Sequence, residues 1–504
     1  MELQIKNENL SYIRCIRTGV LTDTQTAEII VPDTMPDAEL VSDASCVCYL
    51  KGKEAYSGYA RINGMATGVV IVTAGESLRR LDVNIPVSMR FESGEITPDC
   101  KITASVRVCS IDARIVNSRK ISVTVVCEAE AFLFTPTETV IPADIEGDAP
   151  CRLRKSTLTL NTVCAAGERQ YVISDELRIP EDKKPMEEIL FSDTRIVTDS
   201  VKVVGSKAII NCTAETDIVY SSSDDGSIDT LRSDTRYTQI VELEQNADDC
   251  EVCAVSALTG VFMNSDLLAS SDERRLSIEI HVVTQCFAVK TTETEIIDDL
   301  YSPVYDLGVK REDVAVSTVA PPGMLSDTFR VSSETEEAQR VYHTSVTAER
   351  WETADGKLTV TGKVSVMLLA SDGALRRVTV PFRHEVTAQN VLTTDYLYLC
   401  PHFDADASVS RNGVEIRVSA EYELWGHDDK TMSMITGVSF DESRRLDLKT
   451  RPSFVLKQVT EEDGLWNLCK KYCSDEESIL EANGVGSEEE LLSANIILIP
   501  KTAI

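Results

Sequence analysis

The sequence is poor in the residues that carry most enzymatic chemistry. It has 5 histidines in 504 residues, His281, His343, His384, His402 and His427, scattered without a metal-type spacing. No P-loop, G-x-S-x-G elbow or glycine-rich dinucleotide turn is present, so phosphate cradles and serine-hydrolase chemistry lack their usual signatures. No stretch approaches the ~20 uninterrupted apolar residues of a membrane-spanning helix. Residues 1–9 show no basic segment leading into an apolar run, so the expectation is a soluble, cytosolic protein without a secretory signal. Positive charge is also scarce. Lys+Arg 50 against Asp+Glu 82 leaves a net charge of -32, which would repel a long phosphate backbone and argues against nucleic acid as a partner.

What is present is a globular composition, 43% hydrophobic and 26% charged, over a length that predicts three or four domains. The 15 cysteines are odd in number, thinly spread and mostly inside apolar runs, which reads as reduced core thiols. Cys250-Glu251-Val252-Cys253 has no second pair at finger spacing, and Cys469 and Cys473 share one side of a predicted helix. No metal and no cofactor are expected. The acidic pairs Asp224-Asp225, Asp248-Asp249 and Asp298-Asp299 read as solvated loops rather than the two opposed carboxylates of a glycosidase. The chain is therefore read as a binding protein, not an enzyme.

Period-2 alternation dominates the first 450 or so residues. Ile121, Val123, Val125 and Cys127 fall on one face of an extended segment, as do Leu276, Ile278, Ile280 and Val282, and Val414, Ile416, Val418 and Ala420. Other stretches recur in the same order. Leu78-Arg79-Arg80-Leu81 before Ile85-Pro86 matches Leu375-Arg376-Arg377-Val378 before Val380-Pro381, and Ile30-Val31-Pro32 parallels Arg178-Ile179-Pro180. Three diverged β-rich units are the economical account, over residues 1–150, 151–303 and 304–445. Pro36 and Pro185, each just ahead of acidic residues, predict short helices. Residues 135–150, with Pro136, Pro142 and Pro150, read as a linker or domain-edge loop, as do Ala320-Pro321-Pro322-Gly323 and residues 441–452.

The tail changes character. Residues 454–459 predict a strand, and Leu465, Trp466, Leu468, Cys469 and Tyr472 give one apolar helical face. Ser474-Asp475-Glu476-Glu477 has the form of a capping box, Ile479 and Leu480 follow as buried positions, and Asn483-Gly484 suits a left-handed stop. Residues 495–500 close on a strand, so residues 453–501 form a βααβ unit with Trp466, Leu468, Leu480 and Ile497 in its core and Trp466 the largest member. The fold class is multidomain and mainly β, with a small βααβ domain at the end.

The residues Asp463, Leu465, Trp466, Tyr472, Leu480, Asn483 and Ile499-Pro500 make residues 454–501 resemble a LysM domain. That resemblance implies a shallow groove for N-acetylglucosamine-containing glycans, lined here by Glu462, Asp463, Gly464 and Leu465 on one side and Asn483, Gly484 and Val485 on the other. Glu462 and Gly464 stand where the family has Gly and Thr, and Ser493-Ala494 where it has Pro-Gly. The tail is also acidic: Lys457, Lys470, Lys471 and Lys501 face ten carboxylates, Glu488-Glu489-Glu490 among them, which suits a basic protein surface better than a neutral sugar. The preceding units, with their Ile-x-Pro starts and alternating strands, resemble the SPOCS domains of spore-forming Firmicutes. Together the two resemblances imply a coat morphogenetic protein of the mother-cell cytosol, placed at the forespore surface. The partner they imply is the spore coat scaffold ATPase, docked through the LysM domain. The alternative they leave is binding of peptidoglycan or cortex glycan, with a chitooligosaccharide as its small probe and the β-rich units as spacers.

Overall fold

The alternating runs become the longest strands of the molecule. In the computed structural model, which describes residues 3–74, 77–147, 149–264, 274–320, 323–334, 338–371, 373, 375–387, 396–410, 413–446, 452–460 and 463–501, the chain is mainly β. Six strands come first: β1 (Leu3–Ile30), β2 (Leu40–Tyr56), β3 (Tyr59–Ala74), β4 (Ser77–Glu92), β5 (Lys101–Asn117) and β6 (Lys120–Gly147). Six more follow in the same pattern of lengths: β7 (Arg152–Arg178), β8 (Met186–Val204), β9 (Lys207–Ser222), β10 (Ile228–Glu242), β11 (Glu251–Asn264) and β12 (Arg275–Tyr301). The third set is β13 (Tyr305–Val319), β14 (Gly323–Ser333), β15 (Ala338–Ala354), β16 (Lys357–Ala370), β17 (Leu375–Thr387), β18 (Tyr396–Ser410) and β19 (Gly413–Arg445).

Within each set the first and last long strands pair, and the middle three form their own sheet: β2-β3-β4, then β8-β9-β10, then β15-β16-β17. The paired faces close into sandwiches because alternation puts every second side chain inward. Ile121, Val123, Val125 and Cys127 are all fully buried, and so is every member of the matching run from Val414 to Ala420 to within 1%. Pro86 and Pro381 lie on β4 and β17, the outer strands of their sheets, where a missing N–H costs no ladder bond.

The three sets meet through matching positions. Ile29 faces Ile121, Leu177 faces Leu276, and Ser333 faces Val414. The same number of residues further along, Cys15 faces Phe134, Val163 faces Val289, and Val319 faces His427. Cys15, Val163 and Val319 share one buried cluster with Phe132, Phe287 and Trp425, which also occupy equivalent places in β6, β12 and β19. The Phe287 ring meets Trp425 edge-on at 5.5 Å and Phe134 at 5.5 Å. A second shared cluster joins Ile71, Phe191 and Met367 from the three middle sheets. β1 and β7 touch at Ile13 and Val163, which fuses the first two sets into a six-stranded sheet, β11-β12-β7-β1-β6-β5.

Two local expectations fail. Residues 36–39 form no helix and lead irregularly into β2, and the residues after Pro185 enter β8 directly. The N–H groups that a helix would use are taken from outside: Ala38 donates to Ser118 O and Glu39 to Thr73 O, both at 2.9 Å. The tight turn sits earlier, closed by Met35 N–H on Pro32 O and by Lys183 N–H on Pro180 O. An arginine clamps each one, Arg119 donating to Met35 O at 2.7 Å and Arg274 to Lys183 O at 2.9 Å. The second failure is the proline-rich stretch 135–147, which is no linker but the far half of β6, paired to β1 as far as Leu3. A register shift between Lys6 and Asn7 absorbs the irregularity beside Pro142. Likewise, residues 441–445 extend β19.

The tail follows as β20 (Phe454–Gln458), α1 (Leu465–Tyr472), α2 (Glu476–Asn483), α3 (Glu488–Leu492) and β21 (Ile496–Pro500), with β20 antiparallel to β21. A third, short helix thus stands in what reads from sequence as a loop. Ser487 caps it by accepting from Glu490 N–H at 3.3 Å.

Candidate functional site

The tail folds around Leu465, Leu468, Cys469, Ile479, Leu491, Ile497 and Ile499, all buried. Burial pushes the Cys469 thiol up to about 12, so it stays a packed, protonated sulfur. The cluster is completed from outside the tail. Tyr301, the last residue of β12, is 5% exposed, sits among these side chains and donates from its hydroxyl to Ser474 O at 2.7 Å.

Trp466 is not the centre of that core. It is half-buried at the seam between tail and body, edge-on to Tyr301 at 5.0 Å, with the Arg154 guanidinium 5.5 Å from its ring. Its indole N–H donates to Asp299 Oδ2 at 2.9 Å, and Lys470 Nζ donates to Asp299 Oδ1 at 2.7 Å. Arg311 of β13 lies 3.6 Å from the same carboxylate. Burial pushes the Asp299 carboxyl up, but Lys470 and the indole more than offset this and hold it below the usual aspartate range. Its neighbour Asp298 pairs with Arg154 at 2.6 Å. The Asp298-Asp299 pair is therefore a bracket between body and tail rather than a solvated loop.

The groove residues have structural tasks. Asp463 accepts from Lys457 Nζ at 2.7 Å and from the Thr460 N–H and hydroxyl at 2.8 Å each, and these bonds hold its carboxyl down at about 2. Gly464 is the N-cap of α1, and Leu465 turns into the core. Asn483 ties α2 to β21: its Nδ2 donates to Ile479 O and Leu498 O, and its Oδ1 accepts from Leu498 N–H, all at 2.7 Å. Gly484 caps α2 at φ +66°, a left-handed conformation that glycine adopts freely, and Val485 is half-buried. Glu462 lies outside the described residues. Leu468 and Ile497 are core, while Leu480 is half-buried at its edge.

Glu488 supplies what the sequence reading missed. Its Oε1 accepts from Leu465 N–H at 2.7 Å, so a carboxylate from the segment after Val485 reaches the start of α1, where the helix dipole favours it. The capping residue of α2 is Asp475, accepting from Ser478 N–H at 2.9 Å. Ser474, one residue earlier, is buried and donates instead to Pro500 O at 2.6 Å. The exposed carboxylates of Glu476, Glu477, Glu481 and Glu489 leave this side of the tail acidic.

Elsewhere, three of the five histidines are buried in the body. His427 bonds Ser317 at 2.6 Å, His384 bonds Tyr422 at 2.8 Å, and buried His343 lies 3.5 Å from Asp193. Among the described residues no group of His, Cys, Asp and Glu could hold a metal ion, and no helix is long and apolar enough to cross a membrane.

This is a multidomain, mainly β protein whose small helical tail is fastened to its body by an aromatic and ionic seam. Residues 185–261, from the start of β8 into β11, match the family model described as SipL, SPOCS domain, which supports a sporulation-related, SipL-like protein. No curated protein and no solved structure matches the chain.

Proposed function

We propose that this protein is a non-enzymatic assembly factor of the spore coat, acting in the mother-cell cytosol at the forespore surface. Three SPOCS-like units make its body, and the LysM-like tail docks the coat scaffold ATPase. The SPOCS match supports the sporulation half of this reading. Glu488 carries the docking half. In a glycan-binding tail the backbone groups at the start of α1 would be open to a sugar, whereas here the Leu465 N–H is satisfied by a carboxylate. The acidic side of α2 remains exposed and suits a basic protein partner.

The test is capture of the purified scaffold ATPase by the full-length chain at two salt concentrations, beside titration with chitooligosaccharides. Salt-sensitive capture, weakened about tenfold by Glu477→Lys with Glu481→Lys and unaccompanied by a sugar response, is expected. Sugar binding that strengthens in Glu488→Ala, with no ATPase captured, would replace this reading by the peptidoglycan or cortex one.

A further inference from the structure

The Cys250 and Cys253 pair does not act as a unit. Cys253 is fully buried in the central cluster of the body, while Cys250 sits half-buried at the turn before β11, its N–H on Ala247 O at 3.0 Å. Its true neighbour is Cys164, 86 residues away, with Sγ 3.5 Å from the Cys250 Sγ. Cys164 is the extra residue of a β-bulge. In the β7–β12 ladder Ala165 faces Ala288 and Val163 faces Val289, so Cys164 has no ladder partner and its side chain is re-aimed toward the β11 turn. On its other side Cys250 lines an open groove of about 450 Å³ with Asp248, Glu251, Met324 and Trp425.

We propose that Cys164 and Cys250 form a dithiol modification site that a peroxide converts to a disulfide. The Cys250 thiol, reached through the groove, loses its proton and its sulfur attacks one peroxide oxygen; the O–O bond breaks, and the departing hydroxide takes up that proton, leaving a sulfenic acid and one water. The Cys164 sulfur then attacks the Cys250 sulfur. The S–S bond forms, the S–O bond breaks, and hydroxide leaves with the Cys164 proton as a second water. Two thiols lose two electrons and two protons, and hydrogen peroxide takes up both. Cys250 lines the open groove and Cys164 does not, which assigns the first attack to Cys250. The product would tie β7 to the edge strand β11 across a ring spanning β8 to β10.

The first unit supplies an internal control. Its matching turn carries Cys100, with the same N–H bond to Thr97 O at 3.1 Å. Because Cys15 and Val163 hold equivalent register positions, the place of Cys164 is taken there by Ile16, which offers no thiol.

The full-length chain treated with hydrogen peroxide should lose two alkylatable thiols and give a peptide pair joined through Cys164 and Cys250. Cys164→Ser and Cys250→Ser should each abolish that pair, and Cys100→Ser should leave it intact. Peroxide should raise the melting temperature of the wild-type chain and not of Cys164→Ser. A wild-type map in which Cys250 stays alkylatable, over-oxidises alone or joins Cys253 overturns the proposal without recourse to any variant.

Discussion

The body and the tail solve the same problem, holding separate folding units together, by opposite means. At the centre of the body the units share an apolar cluster in which Phe132, Phe287 and Trp425 arrive from equivalent positions. At the seam the tail is held by one buried tyrosine and one carboxylate that gathers an indole, a lysine and an arginine. Apolar burial is non-directional and scales with area, so it suits a junction that stays closed. A seam of few polar contacts loses each at modest cost and depends on pH and salt. The body is built as one object, and the tail as a separable one.

The largest test of that contrast is Phe287→Ala. Removing a buried ring from a cluster shared by three units should cost about 3–5 kcal/mol, read by urea unfolding. The loss should appear in hydrogen exchange across β1, β7 and β19 together. Protection lost in β7 and β12 alone would show that the units are independent and break the comparison.

Tyr301→Ala should act on the other side. It removes a side chain that is 5% exposed from the tail core and leaves Ser474 O without its donor, at about 3 kcal/mol. Here the damage should stay in α1, α2 and β21, with the body's urea midpoint unchanged. A joint collapse of tail and body would mean that the seam is part of the body's core.

The sequence made the strands legible and the seam illegible, for physical reasons. A strand with one buried face writes its burial into every second residue, and the runs beginning at Ile121, Leu276 and Val414 are buried as that alternation predicts. Proline misled twice. Pro36 and Pro142 look like a helix start and a linker, but Pro36 follows a turn that Arg119 clamps at Met35 O, and Pro142 lies within β6 beside a β-bulge. The helix α3 had a visible signal in Ser487 and Glu490, the same S-x-x-E form read at Ser474, where the cap is instead Asp475. Asp299 and Tyr301 left no such mark. They act at long range, 167 residues from Trp466 and 173 from Ser474, and no local period records a contact across that separation.

The smallest effect, and the one that isolates the polar half of the seam, is its pH dependence. Asp299 has a folded-state pKa below the ordinary aspartate value of about 3.9. A depressed carboxyl contributes stability that is complete above the unfolded pKa and is lost as pH falls through the folded one. The seam should therefore hold at neutral pH and loosen only below about pH 4. The reporter is the Trp466 indole N–H resonance, assigned with Trp466→Phe, because its acceptor is the titrating group itself. It should move as pH falls from 6 toward 2.5, while Asp299→Asn should abolish the titration and weaken the seam by about 1 kcal/mol at neutral pH. A resonance that is flat in the wild-type chain would show that the indole is held by packing on Tyr301 alone, and that the tail is fastened in the same apolar manner as the body.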